Sequence, residues 1–495
     1  MAAQPISVFV NNKPGVLALV SDVFGRNGFN IEALRIASGH SRSVSLMKIY
    51  TKVEGERLRG VVEQLEQLVD VLRVIPVCKS SAGQTISPVK NHILNDRNLS
   101  YWVVAYCLFI TLFGTNVPSP LYAIYQSQWQ LSTGMITLIY AIYGWVIIPT
   151  LLASRALQDR IGNKMVLLAG IFFTFIGSTL FAVADNSTGL LAARVCQGLS
   201  VGILNGVALS IMTELHRNRD RRKAAYASAL AITIGNAVGP LAGGWLGEYG
   251  PYPLTLPFLV HALLVTPGMV GLLLLRGERT TLLGPLPIRD QVAQLKRVRG
   301  DFTLSSFTSF AAWSLMSLFF SLVPAYLSSF IGHPNLMISG VVIAIVMVLS
   351  AISQFMLKRW NYRYLAMLGC GLLIVGLAGL VATIIAQSLT LLVISASLIG
   401  IGHGPAYAGS LVLANRISTE SSRSTIISVF YVVTYLGVSL PIVGLGFAAA
   451  RIGMTNAIIW FAGLLALLIV MLILWWLHHR CMDEDERKRE RENSM

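Results

Sequence analysis

Between Leu99 and Leu477 the sequence passes through about twelve apolar stretches, centred near Phe109, Tyr143, Phe173, Leu204, Ile232, Leu264, Leu315, Ile345, Leu377, Leu398, Val433 and Leu464. Crossing the hydrocarbon core of a bilayer takes roughly 20 apolar residues in a helix, and each stretch is of that order. Hydrocarbon offers no water to exposed backbone groups, so these stretches must be helices. The fold is thereby reduced to an all-α membrane bundle, an integral multi-pass protein whose first partner is the lipid bilayer. Composition agrees, since 54% of the residues are hydrophobic and only 12% are charged, against about a quarter charged in ordinary soluble domains.

The loops alternate in charge. "SRALQDRIGNK", "HRNRDRRK", the long segment 276–300, "LKRWNYR", "NRISTESSR" and the tail after Trp476 are basic or mixed, whereas "YQSQWQLS", "ADNST", "EYGPYP", "IGHPN" and "AQSLT" carry almost no Lys or Arg. Basic loops stay cytoplasmic, so both termini are expected in the cytoplasm and the protein in the cytoplasmic (inner) membrane. The formal charge of +15 is spent in these loops and not along one face, which argues against nucleic acid as a partner. Cys78, Cys107, Cys196, Cys370 and Cys481 lie far apart with no paired spacing. Neither disulfides nor a metal site nor any cofactor is expected. Residues 1–30 lack a basic start followed by an apolar core and do not read as a signal peptide.

Residues 1–78 have another texture. "ISVFVN" reads as a strand, Gly15 to Gly28 as a helix with Val16, Leu17, Val20, Val23 and Phe24 on one face, and "FNIEALRIAS" as a second strand. "SVSLMKIYT", "GERLRGVVEQLEQLV" and "VLRVIPV" follow as strand, helix and strand, with Leu58, Val61, Val62, Leu65 and Leu68 turned inward. The order βαββαβ defines a small α+β, ferredoxin-like unit. Residues 79–98 are polar, aperiodic and read as a linker.

The membrane part repeats itself. A shift of 202 residues superposes Gly198 on Gly400, Gly202 on Gly404, Arg221 on Arg423, Gly235 on Gly437 and Gly244 on Gly446. Two six-helix halves, 99–275 and 301–477, are expected on either side of the central loop 276–300, ahead of a charged tail 478–495. Parallel repeats of this kind place a binding cavity between the halves.

Four stretches carry candidate chemistry. After the second span, Asp159, Arg160, Gly162 and Lys164 form a tight, charged turn; a carboxylate there docks on a helix N-terminus or an arginine, or the loop is simply solvated. Arg194, Gln197 and Gly198 lie in the fourth span. Such an arginine either faces a cavity with a partner or snorkels outward, and Gln197, one turn on, favours the first. Gly235, Gly239, Pro240, Gly243 and Gly244 form a small-residue stripe in the fifth span that admits close helix contact. Asn116, Tyr122 and Tyr125 end the first span, as cavity lining or as interfacial belt. For a titrating group the sequence offers Glu214, Glu248, His261 and His403. His403, between Gly402 and Gly404, is the best single candidate, with a hydrogen bond to a neighbouring helix as its bland alternative.

The loop after the second span resembles the G-x-L-x-D-R-x-G-R-K signature of the major facilitator superfamily, matching at Leu157, Asp159, Arg160, Gly162 and Lys164 and departing at Arg155 and Asn163. Arg194-Val-Cys-Gln197-Gly198 resembles the same family's R-x-x-Q-G element, and Gly239-Pro240-Leu-Ala-Gly243-Gly244 resembles the G-P-x-x-G-G element of its exporters. The resemblance implies secondary active transport of a small-molecule substrate, by efflux and coupled to protons.

Residues 5–77 resemble the ACT domain of the acetolactate synthase small (regulatory) subunit. The matching features are the N-x-x-G-x-L turn at "NNKPGVL", the "GFNI" stretch and the closing "QLEQLVDVLRV". That resemblance implies an amino-acid effector, commonly valine, held by the loop of Asn12 and Gly15 and by Asn30 at an ACT homodimer interface. An open helix N-terminus at Gly15 suits a carboxylate. Beyond residue 78 the resemblance stops, and no thiamine-diphosphate chemistry is expected. Three readings stand: a transporter with an amino-acid sensor and no enzymatic activity of its own; a membrane-tethered regulatory subunit partnering the acetolactate synthase catalytic subunit; or an ordinary transporter with an incidental fusion.

Overall fold

The computed structural model describes residues 4–11, 13, 15–38, 44–51, 56–76, 97–216, 221–275, 298–324, 326–327, 335–418 and 423–478. Most of the expected linker, most of the central loop and nearly all of the charged tail lie outside this set. The chain divides into two compact units, Met1–Lys90 and Asn91–Met495.

The first unit has the expected order: β1 Gln4–Asn11, α1 Val16–Arg26, β2 Ala33–Ser38, β3 Val44–Thr51, α2 Glu56–Glu66 and β4 Val71–Pro76. The antiparallel sheet runs β2-β3-β1-β4, with Val8 opposite Met47 on one side and Val74 on the other. Alternation buries Ile6, Val8 and Val10 of β1 against Val20, Phe24, Val61 and Leu65 of the helices. Leu17, expected inward, is 40% exposed. The buried positions 16, 20, 23 and 24 already fill the stripe of α1, and Leu17 lies about 100° around the helix from Val16.

The second unit contains, among the described residues, twelve helices long and apolar enough to span a membrane. In order they are Arg97–Asn116, Thr133–Ile161, Asn163–Val183, Ser187–Leu215, Arg221–Tyr249, Leu256–Leu274, Arg299–Ser321, Leu336–Met356, Tyr362–Ala386, Leu389–Arg416, Arg423–Ile452 and Met454–His478, the first to twelfth spans below. Every expected centre falls inside its span. A short helix, Tyr122–Gln128, links the first two. Helix starts are set by side-chain caps: Ser132, Asn186 and Asn335 accept from the backbone N–H three residues on.

The internal repeat is visible as matched contacts. A β-carbon on Gly198 would fall 2.7 Å from the Tyr143 carbonyl and Val146 of the second span, and one on Gly400 would fall 2.5 Å from the Val346 carbonyl of the eighth. Gly202 meets Thr150 as Gly404 meets Ser350, and Gly235 meets the Phe109 carbonyl as Gly437 meets that of Phe310. Lys164 Nζ donates to the Leu273 and Leu275 carbonyls at the end of the sixth span, at 2.6 and 2.8 Å. Arg363, at the matching start of the ninth, donates to Trp476 and Leu477 at the end of the twelfth, at 3.0 and 2.5 Å. Each half therefore closes its last helix with a cation against a carbonyl end.

The halves meet along two symmetric seams. Gly244 of the fifth span abuts the Leu336 carbonyl of the eighth, and Gly446 of the eleventh abuts Thr137 of the second. Glu248 Oε2 accepts the Leu336 backbone N–H at 2.8 Å, so a carboxylate of one half caps a helix of the other. These contacts lie towards the end away from the basic loops, and Tyr226 and Phe355 of the fifth and eighth spans meet near the other end with ring centroids 6.2 Å apart.

Replacing Gly239 by Val drives a side chain into the Phe113 carbonyl of the first span. Overpacking of this kind costs about 1–3 kcal/mol, and the thermal midpoint of the detergent-solubilised protein is expected to fall. Gly371, with open space at its β-carbon, serves as the control: Gly371→Ala is expected to hold or raise the midpoint by helix propensity. Equal shifts for the two variants would refute the close-packing account.

Candidate functional site

The charged turn after the second span is built on Gly162, whose φ of +83° serves both as the end of one helix and the start of the next. Arg160 is exposed, while the Asp159 side chain lies outside the described set. Lys164, the second residue of the third span, reaches the sixth as described. Asn163, where the family signature has arginine, is buried: its Oδ1 accepts from Gln158 Nε2 at 2.8 Å and its Nδ2 donates to Glu214 Oε2 at 3.3 Å. The turn thus knits the ends of the second, third, fourth and sixth spans.

Arg194 is completely buried, which excludes snorkelling. Its Nη1 donates to the Thr115 carbonyl at 2.8 Å and to Gln197 Oε1 at 2.7 Å; Nε reaches the Tyr122 hydroxyl at 3.0 Å, and Nη2 reaches the same hydroxyl. Tyr122, Tyr140, Tyr143 and Phe181 surround the guanidinium with ring centroids 5.4 to 5.9 Å away. Among the described residues no carboxylate pairs with it. Cation–π contacts, a carbonyl and an amide take that place, each stronger away from water. Gln197 completes its own bonding through Nε2 to the Gly114 carbonyl at 3.0 Å.

Asn116 and the glycine stripe turn out to be one assembly. Asn116 is buried, with Nδ2 donating to Asn236 Oδ1 of the fifth span at 2.8 Å and to the Leu112 carbonyl at 3.0 Å. A β-carbon on Gly235 would fall 2.5 Å from the Phe109 carbonyl, and on Gly239 and Gly243 closer still to those of Phe113 and Val117. Glycines at intervals of four thus track carbonyls at intervals of four. Pro240, inside the same continuous helix, offers its carbonyl to Gly340 of the eighth span. Asn116 belongs to this seam.

Of the titrating candidates, His261 is fully bonded, with Nδ1 2.5 Å from Ser178 Oγ and Nε2 2.9 Å from the Ile110 carbonyl. Only glycine fits at 114, because a β-carbon would enter the His261 ring. His403 is 2% exposed and bonds Ser350 Oγ through Nδ1 at 2.8 Å, with Nε2 left without a partner.

In the α+β unit, Asn12 lies outside the described residues. Gly15 has φ +89° at the start of α1, open space at its β-carbon, and no side-chain cap. Asn30 is exposed, and its carbonyl accepts from Thr51 Oγ1 at 3.1 Å. Asp70 is a residue the sequence did not disclose. Its Oδ1 accepts from Lys13 Nζ at 2.9 Å and Asn11 Nδ2 at 3.0 Å, tying the loop before α1 to the start of β4. The Lys13 ammonium and the Asn11 amide hold its carboxyl below the usual carboxylate range. Tyr140, Tyr143, Trp313, Tyr407, Tyr431 and Tyr435 were also undisclosed, because aromatic residues inside apolar runs give no signal of the direction they face, and so was Asn205, whose partner lies in the other half.

Comparison with known proteins covers both units. Residues 104–440 match the Major Facilitator Superfamily and residues 6–73 match the AHAS small subunit-like ACT domain. The riboflavin transporter RibZ of Clostridioides difficile (strain 630) is 25% identical over 31% of this chain and 34% of its own length. A putative multidrug resistance protein, MdtD of Yersinia enterocolitica, is 29% identical over 30% and 32%. The acetolactate synthase small subunit of Mycolicibacterium smegmatis is 40% identical over 14% of this chain and 41% of its own length. The chain thus spans well under two thirds of each of these relatives. A bacterial homologue of the human lysosomal transporter Spinster, solved inward-facing and unoccupied, superposes with a TM-score of 0.64 at 15% identity, covering 77% of this chain and 97% of the other. With the family matched over most of the chain and the twelve-helix fold in place, this protein belongs to the major facilitator superfamily and carries an ACT domain of acetolactate synthase small-subunit type.

Proposed function

We propose that the protein is a proton-coupled exporter of small molecules in the inner membrane, with both termini cytoplasmic, and that its ACT domain senses a branched-chain amino acid such as valine. The observation that carries the transport reading is the pair of symmetric seams: two like halves meet through matched helix pairs, the fifth with the eighth and the eleventh with the second, which suits rocking about a central passage. Export is supported by the complete Gly239-Pro240-x-x-Gly243-Gly244 stripe and by the likeness to MdtD. The chain itself is no enzyme in this reading. Its coupling group is His403, the buried imidazole with one free nitrogen, and Asp159, Arg160 and Lys164 latch the cytoplasmic end.

In proteoliposomes an outwardly directed solute flux is expected to rise with an imposed proton gradient. Protein that moves no solute under any gradient would overturn the reading. His403→Gln is expected to abolish the dependence on the gradient while leaving exchange at equal pH, and unchanged dependence would remove His403 from coupling. Arg194→Lys strands at least one buried partner among Tyr122, Thr115 and Gln197. The cost is about 1–3 kcal/mol, read as a lower thermal midpoint and slower transport.

A second reading is favoured by one observation, the Gly15 loop held in place by Asp70 and Lys13 within a domain 40% identical to a regulatory subunit. Here the ACT domain serves acetolactate synthase from the membrane, through a homodimer or through the catalytic subunit, and co-purification with that subunit is its test. Calorimetric titration of the full chain with valine is expected to show binding that Gly15→Asp removes. At φ +89° an aspartate is strained and sets an anion where the effector carboxylate would sit. The Asp70 contribution to ACT stability is present above the unfolded carboxylate value near pH 4 and is lost as pH falls through its lower folded value. Asp70→Asn is accordingly expected to flatten the acid limb of the domain's unfolding profile, and an unaltered limb would show that the Lys13 pair contributes nothing.

A further inference from the structure

The middle of the bundle holds polar atoms that the protein leaves unused. Trp313 of the seventh span stands edge-on to His403 of the tenth, with ring centroids 5.0 Å apart at 87°, and edge-on to Tyr407 at 5.8 Å. His403 and Tyr407 lie nearly parallel, 14° apart at 6.0 Å. Tyr407 leads on to Phe430 and Tyr431 of the eleventh span. One turn further, the Tyr435 hydroxyl accepts from Asn205 Nδ2 at 3.2 Å, across the boundary between the halves.

Trp313 Nε1, His403 Nε2 and Asn205 Oδ1 are all buried and unpartnered. Each such atom is unfavourable where nothing answers it. Buried unpartnered atoms also occur at Ser119, Tyr125, Gln158 and Ser306, whereas Gln197 and His261 use both of their polar atoms. Trp313, Asn205, Tyr407, Tyr431 and Tyr435 are nevertheless only half-buried at mid-helix. Asn205 and Tyr435 face each other from opposite halves, which puts this group of side chains beside the boundary between the halves.

We propose that Trp313, Tyr407, Tyr431 and Asn205 form the recognition surface for a planar, uncharged heteroaromatic solute that carries both a hydrogen-bond acceptor and a donor on its edge. This rests on the transport reading above. The indole N–H only donates and therefore needs an acceptor; the amide oxygen only accepts and needs a donor. The tyrosine and tryptophan rings supply faces for stacking. No Asp, Glu, Lys or Arg takes part in these contacts among the described residues, which favours a neutral ring.

The test uses the full-length protein in lipid nanodiscs, titrated with lumichrome, a neutral tricyclic ring system with N–H donors and carbonyl acceptors, and followed by quenching of its fluorescence. Saturable binding is expected. Trp313→Phe keeps a ring but removes the donor, and Asn205→Leu removes the acceptor; each is expected to weaken binding about fivefold to tenfold. Trp313→Phe is not expected to lose thermal stability, because it deletes an unanswered polar atom; Asn205→Leu also loses the bond to the Tyr435 hydroxyl and is compared with Tyr435→Phe, which loses that bond alone. Tyr431→Leu, which removes a stacking face and no buried unpartnered atom, weakens binding independently. Absence of saturable binding by the unaltered protein, or wild-type affinity in Trp313→Phe, Asn205→Leu and Tyr431→Leu alike, overturns the proposal. Transport of another solute alongside absent lumichrome binding sinks the surface and spares the transport reading; binding alongside no transport of any solute does the reverse.

Discussion

Water is missing from the hydrocarbon core, and the bundle is organised by what replaces it between helices. Apolar side chains gain little by leaving lipid for one another, so association rests on close van der Waals contact between backbones. The glycines are where that contact occurs. Gly235, Gly239 and Gly243 ride along the carbonyls of Phe109, Phe113 and Val117, while Gly198 and Gly202 settle on the second span at Tyr143, Val146 and Thr150. Because the same device recurs at Gly400, Gly404 and Gly437, the two halves acquire the same internal geometry. Their mutual seams, at Gly244 and Gly446, are then related by symmetry as well. A passage between two such halves can be closed at one end without rebuilding either of them.

Close backbone contact fixes the helices, and polar side chains are then tolerated only where the fixed backbone answers them. Arg194 shows the rule at its most demanding. A guanidinium in hydrocarbon is costly unless several groups share it, and here a carbonyl, an amide and a tyrosine hydroxyl accept from it while four rings lie around it. A carboxylate partner would neutralise the charge but add a second ion to desolvate, and desolvation often exceeds the Coulombic gain in such pairs. Gln197, Gly114 and His261 then form a chain of dependent choices. Gln197 bonds the Gly114 carbonyl, and residue 114 must be glycine because the His261 ring occupies the space a side chain would take.

Much of this was legible in advance, for reasons that differ by level. The spans were legible because length and hydropathy alone decide them. The repeat was legible because glycine, required at the contacts, recurs at a constant offset. The βαββαβ order followed from a change of period, from 2 to 3.6 and back, although that reading placed Leu17 inward when its neighbours had already filled the face. Pairings across long separations were not legible. Periodicity gives each helix a buried face but does not say which face meets which, so the bond of Asn116 to Asn236, 120 positions on, gave no signal. For the same reason Asn205 and Tyr435, 230 positions apart, gave no signal. Glu248 was visible as a carboxylate near a helix end, yet its role as the cap of a helix in the other half depends on the fold being assembled.

The two units obey different physics, and that difference limits how one acts on the other. The ACT core is held by burial of Ile6, Val8, Phe24 and Leu65 away from water; the bundle is held by contact within lipid. An effector on the first unit alters transport only if its affinity differs between the passage states of the second. Linkage makes that relation reciprocal: a tenfold change in the passage equilibrium on binding valine, about 1.4 kcal/mol, requires a tenfold change in valine affinity when the passage is locked in one state. Valine affinity measured with the protein trapped in each state therefore decides whether the ACT domain gates the bundle. Equal affinities would leave it a passenger or a regulator of something else, whatever the strength of binding.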